Sequence, residues 1–147
     1  MALSRDQLLE WIPHRPPLLW IDKVLSVTEQ KGTCSITLNT DGHYMSRSGL
    51  RSSTMIEFVA QCFGFVRAAQ YLEGMVTTKS APPTKVFLVA VNNARYNAEA
   101  PWPQAGDTIH IHVRGIREFG PLALLEGEVT TPDGLSLFCT QMKVFAE

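Results

Sequence analysis

Residues from about Ser53 to Leu72 constrain this chain more than any other stretch. Met55, Phe58, Val59, Cys62, Val66 and Ala69 recur at three- and four-residue steps, the period of one helix face. Ile56, Ala60, Phe63 and Phe65 fill the other sides, so the first half of the predicted helix is apolar almost all round. Such a helix has to be covered over most of its circumference. Its exceptions, Glu57, Gln61 and Gly64, fall along one narrow line. Two accounts of Glu57 stand side by side. Thr54-Met55-Ile56-Glu57 fits a capping box, in which the carboxylate returns to the helix start. Gln61 extends the polar line one turn beyond what capping requires, which favours a carboxylate placed for chemistry.

The rest of the chain supplies the cover. Ser4-Arg5-Asp6-Gln7 reads as a capping box ahead of Leu8, Leu9, Trp11 and Ile12, a short helix that Pro13 stops. "PHRPP" at 13–17 is an extended connector. "LLWIDKVLSVTEQ" and "GTCSITLN" read as two strands around a turn at Gln30-Lys31-Gly32. The stretch 40–52 is loop by composition, and 73–84 is a second connector. Four strand signals follow: "KVFLVAVNNARYN", "DTIHIHVRGI", "LALLEGEVTT" and "LSLFCTQMKVF". The last two flank the turn Pro132-Asp133-Gly134. About six strands, mostly adjacent in sequence, predict an α+β fold in which a curled antiparallel sheet wraps one long buried helix. Open sheet edges in such a fold predict a dimer. At 147 residues, 1–147 form one domain with a core of its own.

Thirteen basic and fourteen acidic residues, with no basic run, give nucleic acid no electrostatic footprint. Cys34, Cys62 and Cys139 are odd in number and widely spaced, neither a disulfide framework nor a zinc pattern. The N-terminus carries charges where a secretion signal needs an apolar core, and Glu57, Gln61 and Arg67 argue against a membrane span. A cytoplasmic location is the expectation. No phosphate loop, G-x-S-x-G or paired-cysteine motif occurs. His110 and His112 share a strand face without a cysteine or carboxylate beside them and read as solvent-facing, so no metal site is expected. His14 reads as structural, a ring able to pin its connector. His43, alone in a polar loop fourteen positions before Glu57, is either a surface histidine or a base.

"IPHRPPLLWIDKV" at 12–24 resembles the opening of the bacterial β-hydroxyacyl-ACP dehydratases of the hot-dog fold. Their second signature, a histidine followed fourteen positions later by an acidic residue and then Ala-Gln, is matched by His43, Glu57 and Ala60-Gln61. "VAVNNARYNAEAPWPQAGDTI" resembles their third element, and the resemblance spans about residues 12 to 145. Where the family has Phe-Pro-Gly after the histidine and Pro-Gly before the helix, this chain has Tyr44-Met45-Ser46 and Arg51-Ser52. "MIEFVAQ" with that altered loop looks most like the branch found in aryl-polyene-type biosynthetic clusters.

The resemblance implies a double hot-dog dimer, homodimeric or with a related chain, that dehydrates 3-hydroxyacyl thioesters to trans-2-enoyl thioesters in fatty-acid or polyene-type biosynthesis. It implies His43 as base and Glu57 as acid, one from each subunit, with burial among Met55, Ile56 and Phe58 favouring the protonated acid. Backbone N–H groups of Ser52 and Ser53 would stabilise the thioester oxygen, and Gln61 would order Glu57 or a water. No cofactor is implied beyond the phosphopantetheine of the acyl carrier protein, or CoA, that bears the substrate. Arg47, Arg51, Lys79, Lys85 and Arg95 are candidates to meet that acidic carrier. A hot-dog thioesterase, a CoA-ester hydratase and a non-catalytic acyl-binding partner subunit are the competing readings.

Overall fold

The computed structural model describes residues 2–12, 14–75 and 86–146, so Pro13 and most of the 73–84 connector, with Lys79 and Lys85, lie outside the described residues. A two-residue strand, β1 (Leu3–Ser4), runs into the short helix α1 (Arg5–Leu8) and a 3-10 turn, Leu9–Trp11. The Ser4 N–H donates to Gln7 Oε1 at 2.8 Å, as the capping pattern anticipates. After the connector come β2 (Lys23–Val27) and β3 (Gly32–Thr37), then a small hairpin of β4 (Met45–Ser46) and β5 (Gly49–Leu50). The long helix α2 (Thr54–Leu72) follows. The chain closes with β6 (Val86–Tyr96), β7 (Thr108–Phe119), β8 (Leu122–Thr130) and β9 (Ser136–Ala146).

All pairings are antiparallel, in the order β1-β2-β3-β7-β8-β9-β6, with the β4-β5 hairpin separate. The six long strands match the sequence reading, and three short strands add to it. Two boundaries differ. Residues 18–21, read as the start of a strand, stay outside the ladder, where Gln61 takes the backbone of Leu18 and Trp20, and Asp22 N–H then donates to Ser35 O at 3.0 Å. The 40–52 loop contains a hairpin too short for any period to reveal it.

The sheet covers one side of α2. Ile36 from β3, Ile109, Ile111 and Val113 from β7, and Leu125 and Val129 from β8 are buried with Met55, Val59, Cys62 and Val66. The contact is close at two glycines. A Cβ at Gly32 would overlap the methyls of Val66, and one at Gly127 those of Val59. The N-terminal segment covers the opposite side, with Leu8, Ile12, Leu19 and Ile21 buried and Trp11 stacked 5.2 Å from Tyr71. Sheet below and N-terminal strap above explain why so much of the helix is apolar. Removing the side chain of Phe58 or Phe65, both fully buried, would cost about 3–5 kcal/mol.

Buried Gln70 fastens the far end, donating to Thr28 O and Glu29 O in the β2–β3 turn while accepting from Arg67. At the other margin β6 is an eleven-residue edge strand, with Leu88, Val89 and Tyr96 exposed. Among the described residues, no helix is long and apolar enough to cross a membrane.

Candidate active site

Glu57 lies one position beyond the capping-box glutamate. The helix begins at Thr54, which makes Ser53 the N-cap and Glu57 the fourth helical residue. The Thr54 hydroxyl turns back to Arg51 O, and the Glu57 carboxylate goes elsewhere. Its Oε1 lies 3.1 Å from His14 Nε2 and receives Gln61 Nε2–H at 3.2 Å. The capping account of Glu57 is therefore overturned. The reason is geometric: a side chain four positions into a helix leans over its own first turn and the connector beside it, here occupied by His14.

Gln61 builds this corner. It is 1% exposed, and its Oε1 accepts the Trp20 N–H at 2.9 Å while its Nε2 donates to Leu18 O at 2.7 Å. Backbone N–H can only donate and backbone C=O can only accept, so the amide has one orientation here. The predicted polar line is thus no exposed stripe. Gln61 is sealed under residues 18–20, and a Cβ added at Gly64 would meet, among the described residues, Ile12 Cδ1 at 3.8 Å. The loop presenting His14 is shaped by Arg15, whose guanidinium donates to Ile12 O and His14 O.

Glu57 is less sheltered than its apolar neighbours suggest. Its side chain is 42% exposed in the single chain, because Met55 and Phe58 point into the core and leave it at the rim. The dry surround expected for a protonated acid is not supplied by these neighbours. His43 is exposed too, in a shallow cleft with Pro17, Trp20, Asp22 and Asp41. Its neighbour Tyr44 is buried, and Trp20, Tyr44 and Phe58 pack ring to ring at 5.4–5.6 Å. Within the chain, Glu57 bonds to His14 and Gln61 and not to His43.

The approach to the helix start is pinned from the end of β6 and from the loop that follows it. Tyr96 Oη donates to Ser52 O at 2.8 Å, and Trp102 Nε1 donates to Leu50 O at 2.7 Å. Thr54 N–H and Met55 N–H are taken by Arg51 O and Ser52 O, whereas Ser52 and Ser53 N–H have no backbone acceptor among the described residues. These donors lie where a helix N-terminus favours developing negative charge. His110 and His112 do not make a metal corner. Both ring nitrogens of His112 are engaged, with Thr33 and Thr130 hydroxyls at 2.9 Å.

Residues 7–147 match the ApeP-like family, described as ApeP dehydratase. This chain belongs to the ApeP-like dehydratase family. A relative in Rickettsia massiliae, the 3-hydroxyacyl-[acyl-carrier-protein] dehydratase FabZ, is 31% identical over 144 residues, covering 88% of this chain and 90% of its own. The FabZ of Rickettsia conorii is 30% identical, with 89% and 92% covered. Among solved structures, the dehydratase heterocomplex ApeI:P from Xenorhabdus doucetiae superposes with a TM-score of 0.81 at 19% identity, covering 95% of this chain and 90% of that one. The fold is the hot-dog fold.

For an ApeP-like chain, the residue that sequence reasoning under-read is His14. Its ring does pin the connector, as anticipated, but to Glu57 rather than to backbone. The two are 43 positions apart, and no spacing rule links them. The signal was chemical: a histidine beside the site's own motif is a candidate partner for the carboxylate.

Proposed function

We propose that this ApeP-like chain removes water from 3-hydroxyacyl thioesters carried on an acyl carrier protein, giving trans-2-enoyl thioesters in fatty-acid or polyene-type biosynthesis. The carrying observation is the Glu57 carboxyl. It is held off the helix cap by Gln61 and His14, with one oxygen left for a reactant. Elimination breaks the Cα–H and Cβ–O bonds. His43 takes the α-proton, and Glu57 protonates the departing hydroxyl, which leaves as water. The N–H groups of Ser52 and Ser53 face the charge that develops on the thioester oxygen.

His43 comes from a second subunit in this reading. Edge strand β6 is where that subunit seats, because its long flank, unpaired among the described residues, requires cover and its end at Tyr96 touches Ser52. The second subunit is another copy or a related hot-dog chain, and it supplies the shelter that Glu57 lacks alone. Exposed Arg47, Arg51 and Arg95 are the cations offered to an acidic carrier.

The test is turnover of a 3-hydroxyacyl-carrier substrate, followed by enoyl-thioester absorbance and mass. Glu57→Gln and His43→Asn should each lower kcat by roughly 10²–10⁴. Undiminished water loss by the doubly substituted protein ends the proposal. Release of free thiol in place of enoyl product would identify a thioesterase instead.

A further inference from the structure

We infer that His14 is a positioning residue that, together with Gln61, makes the two oxygens of Glu57 unequal and assigns the reacting proton to the one facing away from them. This rests on the reading that Glu57 is the proton donor. Oε1 meets two nitrogens, His14 Nε2 at 3.1 Å and Gln61 Nε2 at 3.2 Å. The amide cannot turn, because Trp20 N–H and Leu18 C=O hold its two ends in opposite senses. The Gln61 contact is therefore a donated N–H.

An oxygen that already accepts one N–H is best used as the carbonyl oxygen of a neutral carboxyl, since a hydroxyl oxygen is the poorer acceptor. His14 then contributes a second N–H from Nε2. The acidic proton sits on Oε2, which has no partner within the described chain. Arg15 maintains the loop through Ile12 O and His14 O, so the ring is delivered by backbone geometry and not by chance contact. A freely turning carboxyl would present its proton to substrate only part of the time, and orientation is a recognised part of the barrier. His14 acts on Glu57 and need not touch substrate.

Two measurements test this. Nitrogen-15 spectra of the intact protein at neutral pH should show His14 wholly as the Nε2–H tautomer, and Glu57→Ala should admit a minor Nδ1–H population. Observation of Nε2 unprotonated in the wild-type protein overturns the inference, whatever the activity. In turnover, His14→Ala should lower kcat about 10- to 100-fold with KM within about threefold, while His14→Gln, which keeps an N–H donor, should restore kcat to within about fivefold of wild type. Unchanged kcat in His14→Ala, with Glu57→Gln inactive, overturns the role of His14 and leaves the dehydratase reading standing. Activity retained by Glu57→Gln overturns both. If His14→Ala folds poorly, His14→Gln and the tautomer measurement decide.

Discussion

A buried amide and a half-exposed carboxyl share the candidate site, and the difference between them is instructive. Gln61 satisfies both ends on backbone, and stranding those backbone groups would cost about 1–3 kcal/mol each. Among the described residues Glu57 satisfies one oxygen, and it remains at the rim, which is a poor arrangement for stability and a useful one for proton transfer. His112 shows the structural alternative for a polar side chain. Its ring is bonded on both nitrogens, and burial lowers its pKa, assisted by His110 and Arg114 and opposed by Glu128. The unfolded chain thus takes up a proton here before the folded one does. Stability from this group is complete above imidazole's ordinary value of about 6.5 and declines as pH falls from there toward the lowered folded value. Urea midpoints measured between about pH 7 and pH 5 should fall less steeply for His112→Gln than for wild type. Equal slopes would remove His112 from the acid response.

At the scale of elements, α2 and the sheet meet without a layer of side chains at two places. Gly127→Ala forces a methyl onto Val59, which is fully buried and has nowhere to go. Thermal melts should show a loss of about 1–3 kcal/mol. Gly64, in the same helix, behaves oppositely. A Cβ there meets only Ile12 Cδ1 at ordinary contact distance, so Gly64→Ala should stabilise by about 0.4–1 kcal/mol through lost chain entropy. A fall in melting temperature for Gly64→Ala would mean that something beyond the described residues packs on that position. The helix itself was legible from its period, because covering it on two sides demands apolar residues around most of its circumference. The β4–β5 hairpin was not legible, since two-residue strands carry no period.

For the whole molecule, the decisive surface is the β6 edge. Leu88 and Val89 are 45% and 53% exposed on a strand whose outer backbone flank has no neighbour among the described residues. Under the proposed assembly, Val89→Lys should shift sedimentation from dimer toward monomer and lower turnover in parallel, because the shared site is then dismantled. A variant that stays dimeric would place the interface elsewhere.

The sequence by itself determined the antiparallel α+β layout, the extent of α2 and the family, because periodicity and motif order are local and survive without coordinates. It singled out Glu57 as well, since a carboxylate among apolar neighbours is visible in one dimension. Only the tertiary structure decided what Glu57 touches. Thr54 begins the helix one residue too early for a cap, and the connector folds across α2 to bring His14 and the backbone of Leu18 and Trp20 onto Gln61 and Glu57. Those contacts join residues more than forty positions apart, and hydrogen-bond partners at that separation follow from packing rather than from spacing.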